Sequence, residues 1–415
     1  MIKIRPYYDH PAHKKIIDRY LYLAALVLPF PPEAVIGDEK LTVDGKEITA
    51  ETVLEEHLQR CRKYLGKKAE KYQDALAAYS ITGTPGDEQE LLAQEQLLAA
   101  KVIQAASQDL YGYLYETGNT GVSPAKVPPM NKEHVRRLLT VPMNALDADL
   151  KRIGQITGEH KRPIPSKTIN GSINGKIYKR QRSDELLDFV FRYESFSQRA
   201  QAFRLLKDMD VNVCPYCNRI YTVTLTKNGH KSRPQFDHYM SKSKYPYFAV
   251  SLLNLIPCCG LCNQAKSDKE DQILYPYFEE MGTDVLFRTK AENGLTYLTG
   301  CPSAQDEFSI SLEKKKGITQ ELREKVKNSD EVFHLTELYN EHKDYVLYLY
   351  RKRYMFSDEY LQMICDTFPE MAGRFDELKG LLYLMDLEKE QWGRRPLAKL
   401  THDIDLQITE ERNNP

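Results

Sequence analysis

No stretch of this 415-residue chain is apolar for long enough to cross a bilayer. The longest, residues 21–30, falls well short of the roughly 20 residues a spanning helix needs, so neither a membrane protein nor a membrane partner is expected. The chain also lacks a basic opening followed by an apolar core and small residues, and synthesis is expected to finish in the cytoplasm. Excess charge is missing too: 58 Lys and Arg oppose 59 Asp and Glu, for a formal net charge of -1. No global positive field advertises a nucleic-acid partner, so any such partner must be engaged by local patches. There is no G-x-x-x-x-G-K-[ST] motif, which excludes nucleotide hydrolysis by a P-loop, and no internal repeat stands out. Cysteine is sparse outside one region. Of 8 cysteines, Cys61, Cys301 and Cys365 read as ordinary buried thiols, and the other five fall between Cys214 and Cys262. A secreted disulfide framework would spread them through a small domain, so the cluster reads as metal binding.

The chain exceeds the size at which one hydrophobic core stops growing, so two or three domains are expected. Residues 1–160 read as a helical N-terminal domain, with Ile16, Ile17, Tyr20 and Leu21 in a first helix and residues 52–79 in a second. Residues 87–116 form the strongest helical pattern, bounded by Pro85-Gly86 and Gly118. Residues 161–182, a basic linker or loop with no acidic residue, hold Lys179 and Arg180 beside Tyr178; a solvated hinge and a phosphate-contacting arm both fit this composition. Residues 183–280 form a module with its core at 214–268, entered through an amphipathic helix at 184–209. Residues 281–415 read as a C-terminal region in which a β-hairpin at 285–298, turning at Asn293-Gly294, and a strand at 308–312 precede helices over 319–387. The aromatic segment 339–354 reads as core and face packing, and the tail after Ile408 as frayed.

Cys214-Pro215-Tyr216-Cys217 and Cys259-Gly260-Leu261-Cys262 are two C-x2-C knuckles whose four thiolates can close a tetrahedral shell around zinc. With every ligand supplied by protein, that ion is structural, and its binding energy, on the order of 10 kcal/mol or more, is folding energy. Cys258 is assigned to the core because only Cys259 stands the right distance from Cys262. Between the knuckles, residues 220–225 read as a strand, residues 227–230 as a turn exposing His230, and residues 235–239 as a second strand carrying Asp237 and His238 side by side. An apolar element at 248–255 contains Asn254, and a helix is expected to start near Asn263. Taken singly, an Asp-His pair is an accident of surface or core, Asn254 a turn residue and Asn263 a helix cap. The order is strand, strand with Asp-His, loop with Asn254, then a helix starting near Asn263, directly after the second knuckle.

The segment CPYCNRIYTVTLTKNGHKSRPQFDHYMSKSKYPYFAVSLLNLIPCCGLCNQAKSD resembles the HNH nuclease superfamily with its ββα-metal fold, over about a seventh of the chain. That resemblance implies a small α+β module, which together with the helical flanks read from periodicity makes a mainly α protein with the module flanked by helical domains. It implies His238 as general base, Asp237 and Asn263 as ligands of a catalytic divalent ion, and Asn254 as the brace of the loop. The family often has histidine where this chain has Asn263, and an amide oxygen there favours Mg2+ or Mn2+ over zinc. Lys242, Lys244 and Lys266 are the lysines that can meet the phosphate backbone. The ending of the segment is similar to the HNH subunit of Septu and retron-associated anti-phage systems. This likeness implies an endonuclease, acting on DNA, as effector of bacterial defence beside a P-loop ATPase, with the helical flanks as docking surfaces and an oligomer left open. The alternative is a zinc module without enzymatic activity that binds nucleic acid or docks the ATPase.

Overall fold

Helix boundaries follow the capping residues. Asp87 accepts from the backbone N–H groups of Gln89 and Glu90, and the Glu90 carboxylate returns to Gly86 N at 2.7 Å, which closes the orphan donors of the helix Glu88–Ala106. Ser107, in an extended conformation, ends that helix and caps Gln108–Leu114, so the continuous helix expected over 87–116 is two. The computed structural model describes the chain apart from residues 117–126, 157–158, 161–180, 228–229, 270–271, 292–307, 369, 371–374, 384–388 and 414–415. Among the described residues the chain is mainly helical, and every sheet has two strands. Lys179, Arg180, Cys301 and the Asn293-Gly294 turn lie outside the described residues.

Two compact units emerge, one of Tyr7–Met209 with Phe236–Ile256 and the other of Met1–Pro6, Asp210–Gln235 and Pro257–Pro415. In the first, the helix His13–Val27 buries Ile16, Tyr20, Leu21, Leu23 and Ala24. Ala50–Ala78, kinked at Tyr64, packs on Glu88–Ala106 through Cys61, Leu91 and Leu92. The single helix expected at 184–209 is three, Ser183–Phe191, Tyr193–Ser197 and Ala200–Asp208. The first break falls at Arg192, whose left-handed backbone (φ 45°) ends one helix and starts the next. Arg19, 3% exposed, ties this region together by donating to Asp208 (2.6 Å), Asp44 (2.9 Å) and Gln201 (2.5 Å). Charges this deeply buried persist only when paired on all sides.

The second unit centres on the antiparallel pair Val285–Ala291 and Phe308–Lys314, in register from Ala291↔Phe308 to Val285↔Lys314. Phe287, Phe308 and Ile310 pack against Tyr339, Val346, Leu347, Tyr350, Leu400 and Ile404. Tyr348, expected to pack, is exposed, and Cys365 is half-buried. The outer edge of Val285–Ala291 needs partners for its N–H groups. The helix Ala398–Asn413 provides them from side chains one turn apart: Asp403 accepts from Phe287 N and Gln407 from Thr289 N, both at 2.9 Å. The same helix contradicts the frayed tail expected after Ile408. It runs to Asn413, held by Glu410 against Arg288 at 2.6 Å.

Two expectations test these packing arguments. Lys399 and Asp403 are fully buried and 2.8 Å apart, with burial pushing the ammonium below its ordinary value while Asp403 opposes it. Asp403→Ala strands that charge and the Phe287 N–H, and should cost about 3–5 kcal/mol in a denaturant melt. His57 is held by burial, and secondarily by Arg60, at about 4 against an ordinary 6.5. Its contribution is present above pH 6.5, where both states are neutral, and is lost as pH falls towards 4, because the unfolded chain takes up the proton first. Relative to His57→Leu, the wild type should lose about 3 kcal/mol between those values in pH-dependent melts.

Candidate metal centre and catalytic loop

The cysteine centre lies within the second unit, and its scaffold is built from both knuckles. Around the first, Cys214 N donates to Ile220 O at 2.9 Å and Asn218 N to Cys214 O at 2.8 Å. Tyr216 stacks on Phe333 with ring centroids 4.4 Å apart, and Tyr339 donates its hydroxyl to Cys217 O at 2.7 Å. Asn218, fully buried in a left-handed conformation (φ 51°) that asparagine tolerates, accepts from Lys399 N at 3.1 Å and donates to Trp392 O at 3.0 Å. The motif reading passed over Asn218; its only sequence signal is its place directly after the knuckle. In the second knuckle, Cys259 caps the helix Gly260–Lys266, its sulfur accepting from Cys262 N at 3.5 Å.

The ligand atoms of Cys214, Cys217, Cys259 and Cys262 all lie within 4.8 Å of one another, and all four residues are buried. A tetrahedral zinc with Zn–S bonds of about 2.3 Å requires sulfurs about 3.8 Å apart, and the Cys217 and Cys259 sulfurs are 4.0 Å apart. The four residues fit a metal such as zinc. Burial pushes the Cys214 thiol well above its ordinary value, a cost that a bound cation removes. Cys258 is buried but stands outside this set. Asn263, half-buried on the helix Gly260–Lys266, donates its amide to Gln235 Oε1 at 2.6 Å. Lys266 on the same helix is 2% exposed, so the phosphate-facing position expected of it is not what the structure shows.

The strand expected at 220–225 is mostly absent. Tyr221 makes only an isolated bridge to Val213, and pairing begins at Leu225–Lys227 with His230–Ser232, which places His230 on a strand and not in the turn. The strand Gln235–His238 pairs instead with Leu255–Cys258, and these two strands carry the chain from one unit to the other. Asp237, His238 and Asn254 therefore belong to the first unit and the cysteines and Asn263 to the second.

In the first unit, Asp237 is 2% and His238 9% exposed. His238 Nε2 lies 2.9 Å from Ala249 O. A carbonyl only accepts, so Nε2 carries a proton, and in the neutral form of the ring the lone pair is on Nδ1. The loop bearing Ala249 is closed by Asn254, which donates to Met240 O (3.1 Å) and Phe248 O (2.9 Å) and accepts from Met240 N (2.7 Å). Helices of the same unit fasten it from outside. The Tyr20 hydroxyl lies 2.7 Å from Val250 O, Ser251 donates to Leu138 O at 2.6 Å, and Tyr247 donates to Gly154 O at 2.7 Å. Lys242 pairs with Glu194 at 3.4 Å, and Lys244 accepts at its carbonyl from Ile156 N at 2.9 Å.

Comparison with known proteins finds one short likeness. Over 97 residues the chain is 30% identical to Protein ea31 of Escherichia phage lambda. That stretch is 22% of this chain and spans 28% of the phage protein's length. No family model matches, and no solved structure matches.

Removing one sulfur tests the centre. Cys217→Ser and Cys262→Ser should each abolish stoichiometric zinc in elemental analysis and lower the melting temperature by about 10 °C or more. A serine variant that melts like the wild type while holding no zinc would reject the structural role.

Proposed function

We propose that the protein is a metal-dependent HNH-type endonuclease with a structural zinc in its four-cysteine centre. The single observation that carries this reading is the 2.9 Å contact between His238 Nε2 and Ala249 O, from which the tautomer is inferred. A nuclease base must present a lone pair at neutral pH, and an imidazole whose Nε2 proton is committed to a backbone carbonyl does so at Nδ1. From there His238 takes the proton of the water that attacks the phosphodiester. The resemblance to HNH nucleases assigns Asp237 and Asn263, which offer hard oxygen donors, to a catalytic Mg2+ or Mn2+. That ion, when bound, offsets charge on the departing 3′ oxygen and on a non-bridging phosphate oxygen. Lys242 and Lys244 line the loop after His238, where they would follow the nucleic-acid backbone. DNA as substrate, and service in anti-phage defence beside a P-loop ATPase, rest on the likeness of the segment from Asp237 to Asp268 to defence-associated HNH proteins.

The test incubates purified protein with supercoiled plasmid and with RNA, in Mg2+, Mn2+ or EDTA, with and without neighbouring gene products. Mg2+- or Mn2+-dependent nicking is expected, and His238→Ala should lower it by about 10²–10⁴-fold at unchanged zinc content. Undiminished nicking by the variant would sink the base assignment. DNA affinity without cleavage would identify a nonenzymatic zinc module, and neither property until the ATPase is added, a docking subunit.

A further inference from the structure

The left-handed turn at Arg192 makes Tyr193 the first residue of the helix Tyr193–Ser197. Its ring meets the imidazole of His238 edge to face, with centroids 4.4 Å apart and planes at 70°. Further contacts pin that ring. Its hydroxyl donates to Phe236 O at 3.3 Å, on the strand that bears His238. Lys242 Nζ stands 5.1 Å from the ring centroid and 3.4 Å from Glu194, the next residue of the same helix. One aromatic side chain thus touches the strand, the imidazole and a lysine of the loop.

A single hydrogen bond holds an imidazole at one point and leaves its plane free to swing about that point. The bond from Nε2 to Ala249 O therefore chooses the tautomer without aiming Nδ1. The broad ring of Tyr193 packed against the imidazole restrains that plane. We propose that Tyr193 is a positioning residue for His238: its ring fixes the plane of the imidazole and so the direction of the Nδ1 lone pair. The catalytic consequence rests on the nuclease reading above, whereas the hold on the ring does not.

The experiment uses the full chain as wild type, Tyr193→Leu and Tyr193→Phe, with Tyr193→Met replacing the leucine variant if that melts early. Steady-state cleavage of a plasmid in Mg2+ should show kcat falling about 10–100-fold in Tyr193→Leu with KM within about threefold, because Tyr193 aims the base without gripping substrate. Tyr193→Phe keeps the ring and should recover kcat to within about threefold of wild type. In parallel, nitrogen-labelled histidine rings are followed by NMR at one pH, with the His238 signals identified by their loss in His238→Gln. Wild type and Tyr193→Phe should show a single Nε2–H tautomer, and Tyr193→Leu nitrogen shifts drawn towards the average of an exchanging ring. Wild-type kcat together with an unchanged His238 spectrum in Tyr193→Leu overturns the positioning role. If the wild type cuts nothing under any condition, the nuclease reading falls, and the spectrum alone then decides whether Tyr193 holds the imidazole.

Discussion

Four sulfurs gathered within 4.8 Å and shut away from water set the central constraint on the second unit. As thiols they fill space poorly as hydrogen-bonding groups, and as thiolates they repel one another in a medium of low dielectric. A soft or borderline cation such as zinc would resolve both problems, since it would turn four unfavourable charges into four bonds. The surrounding structure is arranged for that outcome. The Cys217 carbonyl and the Asn218 side chain beside it are matched by partners from a distant part of the chain: Tyr339 to Cys217 O, Trp392 O and Lys399 N to the Asn218 amide. The knuckle is thus stitched to the C-terminal part of the same unit by bonds between neutral groups.

The first unit solves a different problem by similar means. The loop from Tyr239 to Leu253 has little regular pairing of its own, so its carbonyls and amides must be met from elsewhere. Asn254 meets them from inside and Tyr20, Ser251 and Tyr247 join it to the helical flank. Burial raises the Tyr20 and Tyr247 hydroxyls above their ordinary values, which keeps them neutral donors. A helical flank that looks like a separate domain in sequence is, in the structure, the frame of the loop that carries Ala249.

What was legible in the sequence is what local rules encode. The two-residue gap separates Cys259 from Cys258, and the cysteine cluster contains the former and not the latter. Apolar spacing located the helix His13–Val27 and those beyond Thr319, and Asp87 marked a helix start. What escaped depends on partners far along the chain or on single backbone angles. Pairing of Gln235–His238 with Leu255–Cys258 and of Val285–Ala291 with Phe308–Lys314 is non-local, and alternation over 220–225 mimicked a strand that has almost nothing to pair with. The left-handed turn at Arg192 has no compositional signature, since arginine is an ordinary helix former. Tyr193 and Asn218 were invisible for the same reason: each matters through residues at a distance of tens or hundreds of positions.

His238 and Asn263 show one principle at two degrees of stiffness, each within its own unit. Each side chain has two chemically distinct ends, and in each the donor end is already committed, Nε2 to Ala249 O and the amide nitrogen to Gln235 Oε1. The commitment leaves a basic nitrogen on one and a carbonyl oxygen on the other. The partners differ in what they can enforce. Two amide side chains facing one another can exchange donor and acceptor if both rotate through half a turn, so Gln235 steadies Asn263 without fixing which end it offers. A backbone carbonyl has no such freedom, and the one at Ala249 lies in a loop closed by a fully buried asparagine. The tautomer of the imidazole is therefore the more rigidly specified of the two choices, because it follows from the position of the backbone, while the plane of the ring is left to the side chains packed against it.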